Sequence, residues 1–286
     1  MNGILLINKE KDYTSRDVVN IVSKALNIKK VGHAGTLDPL ATGVLVLGIN
    51  EGTKILSFLT DDVKEYIATG MIGIKTDTLD ITGEVTNTGV KTVSKEDLIN
   101  CLKKFVGKIV QETPKYSAVK IRGKHLYNYA RENIDIELPK REIEIKRIEL
   151  LNFYTLNDNS YFVIKCLVSK GTYIRTLIDD IGTSLNTYAT MTDLIRTKQG
   201  IFNIDDCLLT KDITLDNIIS LEKALENYPK IIVDGPKELA ILNGQLLDKV
   251  NNNKYNFYYN KNLKLIAIYE DYKKDVTKIK PFKVFN

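Results

Sequence analysis

Apolar positions along the chain alternate between short unbroken runs, period-two stretches and helical spacings. Residues 3–7 form an apolar run that predicts a short buried strand. Thr14 or Ser15 then caps a helix, with Asp17 in its first turn and Val18, Ile21, Val22, Ala25 and Leu26 on one face. A loop with Gly32, Gly35, Pro39 and Gly43 follows, and the apolar run 44–49 predicts another buried strand. Residues 64–74 alternate as a strand does, and 76–83 are rich in turn residues. Ser94 to Asp97 resembles a capping box for a helix whose stripe is Leu98, Leu102 and Phe105. Residues 143–156 and 161–168 around the turn 157–160 predict a long hairpin. Helices are expected at 172–185 and 215–225.

Strands and helices mix without a regular βαβ rhythm, and the hairpin demands antiparallel pairing, so the fold class is α+β. Near Tyr228-Pro229 the pattern shifts to a small β-rich unit. It has short strands at 231–233, 255–259 and 263–269, with turns at Asn243-Gly244 and Asn251 to Asn253. The expected division is therefore 1–228 and 229–286. No stretch approaches the ~20 apolar residues of a membrane span, and the four apolar residues after Gly3 are too few for a signal-peptide core.

Composition narrows the chemistry. Three widely spaced cysteines and two histidines, His33 and His125, give neither a disulfide framework nor a metal-ligand spacing. The expectation is free, mostly buried thiols in a reducing compartment and no zinc site. The net charge is +5. It is concentrated: 115–131 holds Lys115, Lys120, Arg122, Lys124 and Arg131 and no acid, whereas the rest of the chain carries 36 basic and 36 acidic residues. Tyr116, Tyr127, Tyr129 and His125 are interleaved with that charge, which suits phosphate contacts plus stacking, although a solvated basic surface has the same composition.

The segment 32–43, Gly-His-Ala-Gly-Thr-Leu-Asp-Pro-Leu-Ala-Thr-Gly, is the most unusual. Asp38 sits between Leu37 and Pro39, where a carboxylate is partly desolvated and its backbone is held extended by the proline. The plain alternative is a turn residue, since Asp-Pro initiates turns. A nucleotide P-loop is not supported, because the Gly-Lys-Ser/Thr order is missing.

This segment resembles the signature of the bacterial tRNA pseudouridine-55 synthase family, and further motifs match in the family's order. They are Lys64-Glu65-Tyr66, the Thr-Asp-Thr-Leu-Asp run from Thr76, Tyr116 to Lys120 continuing through Gly123 and Arg131, and Ser169-Lys170-Gly171-Thr172-Tyr173-Ile174-Arg175. The resemblance runs from about residue 3 to about 205, and the tail is similar, more weakly, to a truncated PUA-like RNA-binding domain.

The resemblance implies an isomerase that detaches uracil from ribose in the T loop of tRNA and rejoins it through C5, with no cofactor. It implies Asp38 as nucleophile, with attack at C1′, attack at C6 and assistance to elimination left open, and Arg175 as its counter-charge. Tyr66 is expected to stack on the base and is a candidate for removing the C5 proton. Tyr173 contacts the uracil edge or packs beneath Asp38, Leu194 packs on the base, and His33 stacks where the flipped base was. Lys120, Arg122 and Lys124 are expected on phosphates.

Some positions depart from the family pattern. Asp-Lys-Pro-x-Gly is replaced by Asn8-Lys9-Glu10-Lys11-Asp12, which predicts a changed turn rather than lost activity. A proline is replaced by Thr113, and a commonly basic position is Ile195, removing one phosphate contact while Arg196 remains. Two rival readings are a guide-dependent relative that modifies ribosomal RNA, disfavoured by the short chain, and an RNA-binding or RNA-folding module without catalysis, disfavoured by the filled Asp38, Tyr66 and Arg175 positions. The expected protein is a cytoplasmic monomer that acts on the tRNA T arm with no obligatory protein partner and no membrane.

Overall fold

The computed structural model describes residues 1–60, 63–132 and 134–285. Its centre is a nine-stranded sheet. The main path runs Gly3–Lys9, Thr42–Ile49, Ala189–Gln199, Val63–Ile72, Asn159–Ser169, Lys140–Leu156 and Gly107–Glu112. Val31–Ala34 and Phe202–Asn203 join off that path. The Thr42–Ile49 and Ala189–Gln199 pair is parallel, while the other neighbours on the path are antiparallel. The class is thus α+β with a mixed, largely antiparallel sheet.

Local chemistry explains most elements. Helix Ser15–Ala25 starts at Thr14, whose side chain accepts from the Asp17 amide while the Asp17 carboxylate accepts from the Thr14 amide. Helix Lys95–Lys103 starts at Ser94 and buries Leu98 and Leu102. The long hairpin turns at Asn157 and Asp158, with φ of 48° and 63°, the pair of left-handed residues a tight hairpin needs. Helix Ile174–Ser184 packs Leu177, Ile178 and Ile181 against the sheet, in one cluster with Ala68, Ile164, Cys166 and Leu194.

A second, five-stranded sheet is ordered Lys230–Ile232, Tyr255–Tyr259, Leu265–Asp271, Lys278–Val284 and Leu247–Asp248. Phe257, Tyr259, Leu265 and Ile268 share one buried cluster with Ile4, Leu6, Val44 and Val46 of the large sheet. Cys101 and Cys166 are buried free thiols and Cys207 is half-buried. Among the described residues no helix is long and apolar enough to cross a membrane.

Several elements differ from the sequence-based expectation. The helix expected over 215–225 is broken into a short 3-10 turn at Leu215–Asn217 and a single helical turn at Leu221–Ala224. Between them Ile219 exchanges two backbone hydrogen bonds with Ile4, each 2.8 Å, so pairing with the first strand outweighs helix continuation. The turn at Asn243-Gly244 follows a helix that was not expected, Gly235–Leu242, and Pro236 sits in that helix's first turn. The period-two stretch 64–74 is split at Gly73, where φ is 102°.

Candidate active site

The nucleophile loop is built from apolar anchors. Leu37, Leu40 and Ala41 are buried in the main core, each leucine contributing about 1.5–3 kcal/mol. Ser15 Oγ accepts from the Leu37 amide at 2.9 Å, and the Ala41 amide donates to the Asp38 carbonyl at 3.0 Å. Asp38 is therefore the polar residue left at the mouth of a fixed turn, with its side chain 41% exposed. Gly43 leaves the loop at φ 101°, and a Cβ there would sit 2.3 Å from the Arg196 carbonyl. Only glycine permits the parallel approach of Gly43 to Arg196.

Arg175 Nε lies 3.0 Å from Asp38 Oδ2. Its Nη1 donates to the Thr78 carbonyl and its Nη2 to the Tyr116 carbonyl, both at 2.8 Å. One 7% exposed guanidinium thus ties the nucleophile loop to two other loops, with Asp80 Oδ2 3.8 Å away. The Asp80 carboxylate also folds its own loop, accepting from the Thr78 hydroxyl, the Thr82 hydroxyl and the Thr82 amide.

Tyr66 lies on the central strand, opposite Cys166 on one side and Arg196 on the other. It is 6% exposed, and burial pushes its phenol up while the Arg196 guanidinium acts against that rise. Tyr173 precedes the Arg175 helix, and its backbone is fixed by Gln111: its amide donates to Gln111 Oε1 at 2.7 Å and its carbonyl accepts from Gln111 Nε2 at 3.0 Å. Asp38, Tyr66, Tyr173, Arg175 and Leu194 line one cleft of about 540 Å³, with Tyr116, Tyr127, Lys64 and Arg196.

The other expected residues lie outside that lining. His33 is on the strand Val31–Ala34 rather than in a loop, with Nε2 3.4 Å from Thr36 Oγ1. Burial, Arg16 and Arg196 lower its pKa, which favours the neutral ring. Lys120 and Lys124 sit on a two-stranded hairpin next to the cleft, with Arg122 in its turn at φ 49°. Lys120 and Arg122 are solvent-facing. Lys124 is ion-paired to Glu132 and lies over the Tyr129 ring at 4.9 Å. Arg196, grouped with basic surface positions in the sequence, is 1% exposed and makes no phosphate-facing surface.

Lys9, Gln111 and Arg196 are buried or cleft-side groups to which the sequence assigns no role in the site. Lys9 is fully buried and donates to the carbonyls of Glu10, Tyr13 and Pro39, the last at 3.2 Å. Burial lowers it to about 8, opposed chiefly by Asp38. Asp12 occupies the family's glycine position at φ 69°, and its amide donates to the Pro39 carbonyl at 2.9 Å. Asp is among the few residues other than glycine that tolerate such a φ. Thr113 uses its position likewise, since its amide bonds the Pro139 carbonyl at 3.0 Å, which a proline has no N–H to do.

The TruB family pseudouridylate synthase N-terminal model matches residues 23–174, and the tRNA pseudouridylate synthase B C-terminal model matches 175–233. The chain belongs to the TruB family. Among TruB relatives, proteins named tRNA pseudouridine synthase B from Clostridium tetani and Caldicellulosiruptor saccharolyticus are 42% and 45% identical. The first match covers 88% of this chain and 90% of the relative, the second 87% and 84%. A chain from a structure of an H/ACA ribonucleoprotein bound to a substrate RNA containing 2′-deoxyuridine aligns at a TM-score of 0.70 and 24% identity, over 99% of this chain and 85% of that one. The pseudouridine synthase fold is therefore shared with it.

Proposed function

We propose that this chain isomerises the T-loop uridine of tRNA, position 55, to pseudouridine, acting as a monomer without guide RNA or protein partner. The observation that carries the reading is the Asp38–Arg175 pair at 3.0 Å, at the mouth of a cleft that also holds Tyr66, Tyr173 and Leu194. The names of its 40–45% identical relatives support the same substrate. A substrate carried by tRNA and three free thiols fit a cytoplasmic protein.

In this reading each group has a task. A uridine inside a folded loop must be extruded, at a cost of a few kcal/mol. Stacking on an aromatic ring offsets about 1–3 kcal/mol per base, and Tyr66 and Leu194 offer the cleft's flat and apolar surfaces. Asp38 attacks as a carboxylate, with Arg175 supplying its counter-charge from a position locked by two carbonyls. Tyr66 takes the C5 proton once the base has turned and rejoined. Tyr173 sets the base edge, and His33 fills the gap left in the T loop. Lys120, Arg122 and Lys124 meet phosphates. In this reading residues 1–228 carry the isomerase and 229–286 extend the RNA-binding surface.

Incubation of the purified protein with unmodified tRNA transcript, followed by carbodiimide labelling and primer extension, tests the reading. A new stop at the T-loop uridine is expected. No stop, with tRNA still bound, is the outcome that favours an RNA-binding module.

A further inference from the structure

Arg196 is a buried cation on which no carboxylate among the described residues acts. Nε donates to the Val44 carbonyl and Nη2 to the Gly35 carbonyl, both at 2.7 Å. These carbonyls stand on the two arms of the loop that carries Asp38. Among the described residues, the acidic groups acting on this guanidinium are the Tyr66 hydroxyl and the Cys207 thiol. A Cβ at position 35 would meet Nη1 at 3.3 Å, so the guanidinium is closely packed against the loop.

Burying a charge without a counter-ion is costly. Two of the acceptors are carbonyls whose charge never changes. Tyr66 is the cross-strand register partner of Arg196 and lines the same cleft, and ionisation of its phenol would give the cation a counter-charge that no carboxylate among the described residues supplies. We propose that Arg196 is a positioning residue for the proton transfer at C5: clamped by Gly35 and Val44, it faces Tyr66 and stabilises the phenolate that receives the proton. The inference rests on the isomerase reading above.

In that step Tyr66 starts as phenolate, its own proton having passed to solvent. The C5–H bond breaks, Oη gains the proton, and the C–H electron pair closes the C5=C6 double bond while the N1=C6 π pair, formed when C5 joined C1′, moves onto N1. N1, released when the glycosidic bond broke, takes a proton from solvent. No net proton or electron is consumed. The cation also acts on Lys9 and His33, and Tyr66 also faces Asp38 and Cys166. A simple bracing role is therefore the rival explanation.

The two roles separate by isotope. Arg196→Lys keeps a charge but not the planar fork, and Arg196→Gln removes the charge. Each is compared with wild type on tRNA carrying uridine or 5-deuterouridine. A general base is worth about 10²–10⁴-fold, so Gln should lower kcat by about tenfold or more. Its KM for tRNA should stay unchanged and its C5 isotope effect should exceed that of wild type. Lys should fall between the two. Either variant decides alone if the other does not fold. A slower variant with no larger isotope effect, a KM that rises in step, or an unchanged rate would each overturn the proposal. Absence of pseudouridine with the wild type would instead defeat the isomerase reading itself.

Discussion

Asp38 Oδ2 and Arg175 Nε meet at 3.0 Å, and the same guanidinium reaches the Thr78 and Tyr116 carbonyls through its other two nitrogens. Charge and position are therefore supplied by one planar group. Arg175→Lys keeps the charge but cannot serve three partners in that plane. Loss of one preorganised electrostatic partner costs about 10²–10³-fold in kcat. Single-turnover assays should show a loss of that size, with tRNA affinity nearly unchanged.

Asp80 acts one step behind Arg175. Its carboxylate accepts three hydrogen bonds inside its own loop and lies 3.8 Å from Arg175 Nη1. Asp80→Ala leaves those donors unpaired, a cost of about 1–3 kcal/mol. Urea unfolding should register that loss. Activity should fall further than stability, because the Thr78 carbonyl that holds Arg175 moves with the loop.

The basic hairpin divides by its partners. Lys120 and Arg122 face solvent, whereas the Lys124 ammonium is held by Glu132 and the Tyr129 ring. Each phosphate contact contributes about 0.9 to the slope of log K against log salt on duplex. The double substitution Lys120→Ala with Arg122→Ala should flatten that slope by about 1.8. Lys124→Ala should change it less. Equilibrium binding across a salt series measures both.

Asp180 gives a pH signature away from the cleft. Burial raises it to about 6, with Asp179 and Glu112 adding to the rise and Lys75 opposing it. The folded state thus holds this proton over a pH range where the unfolded chain, near 3.8, has released it. Stability contributed here is present at low pH and lost as pH rises through about 6. Asp180→Asn, which stays neutral, should melt higher than wild type at pH 8, and the two should converge below about pH 4. Melting curves across pH test the sign.

How much of this was legible in the sequence depended on where the polar groups went. The capped helices and the long hairpin were readable because their apolar periods and turn residues agree. The position of Asp38 between Leu37 and Pro39 was readable as that of a carboxylate held in an apolar-flanked loop, whereas the anchoring by Leu37, Leu40 and Ala41 in the core was not. The strand Ala189–Gln199 was not readable, although it lies between two central strands. Its buried positions include Thr190, Arg196 and Gln199, which bond to Thr76, to the Val44 and Gly35 carbonyls, and, through Gln199 Nε2, to the Ala34 carbonyl. Partners so distant in sequence leave no local period. Arg196 was hidden for that reason, although Leu194 and Arg196, two apart on a strand, necessarily share a face. Helix Gly235–Leu242 was obscured because it is short and bounded by Gly235-Pro236 and Asn243-Gly244, which mark turns as readily as helix ends.

The account turns on Asp38 as the nucleophile. The most direct measurement is tritium release from unmodified tRNA carrying uridine labelled at C5, with wild type and Asp38→Ala side by side. The account predicts one tritium released per tRNA by the wild type and none above background by the variant, which should still bind tRNA. Full turnover by Asp38→Ala would contradict it.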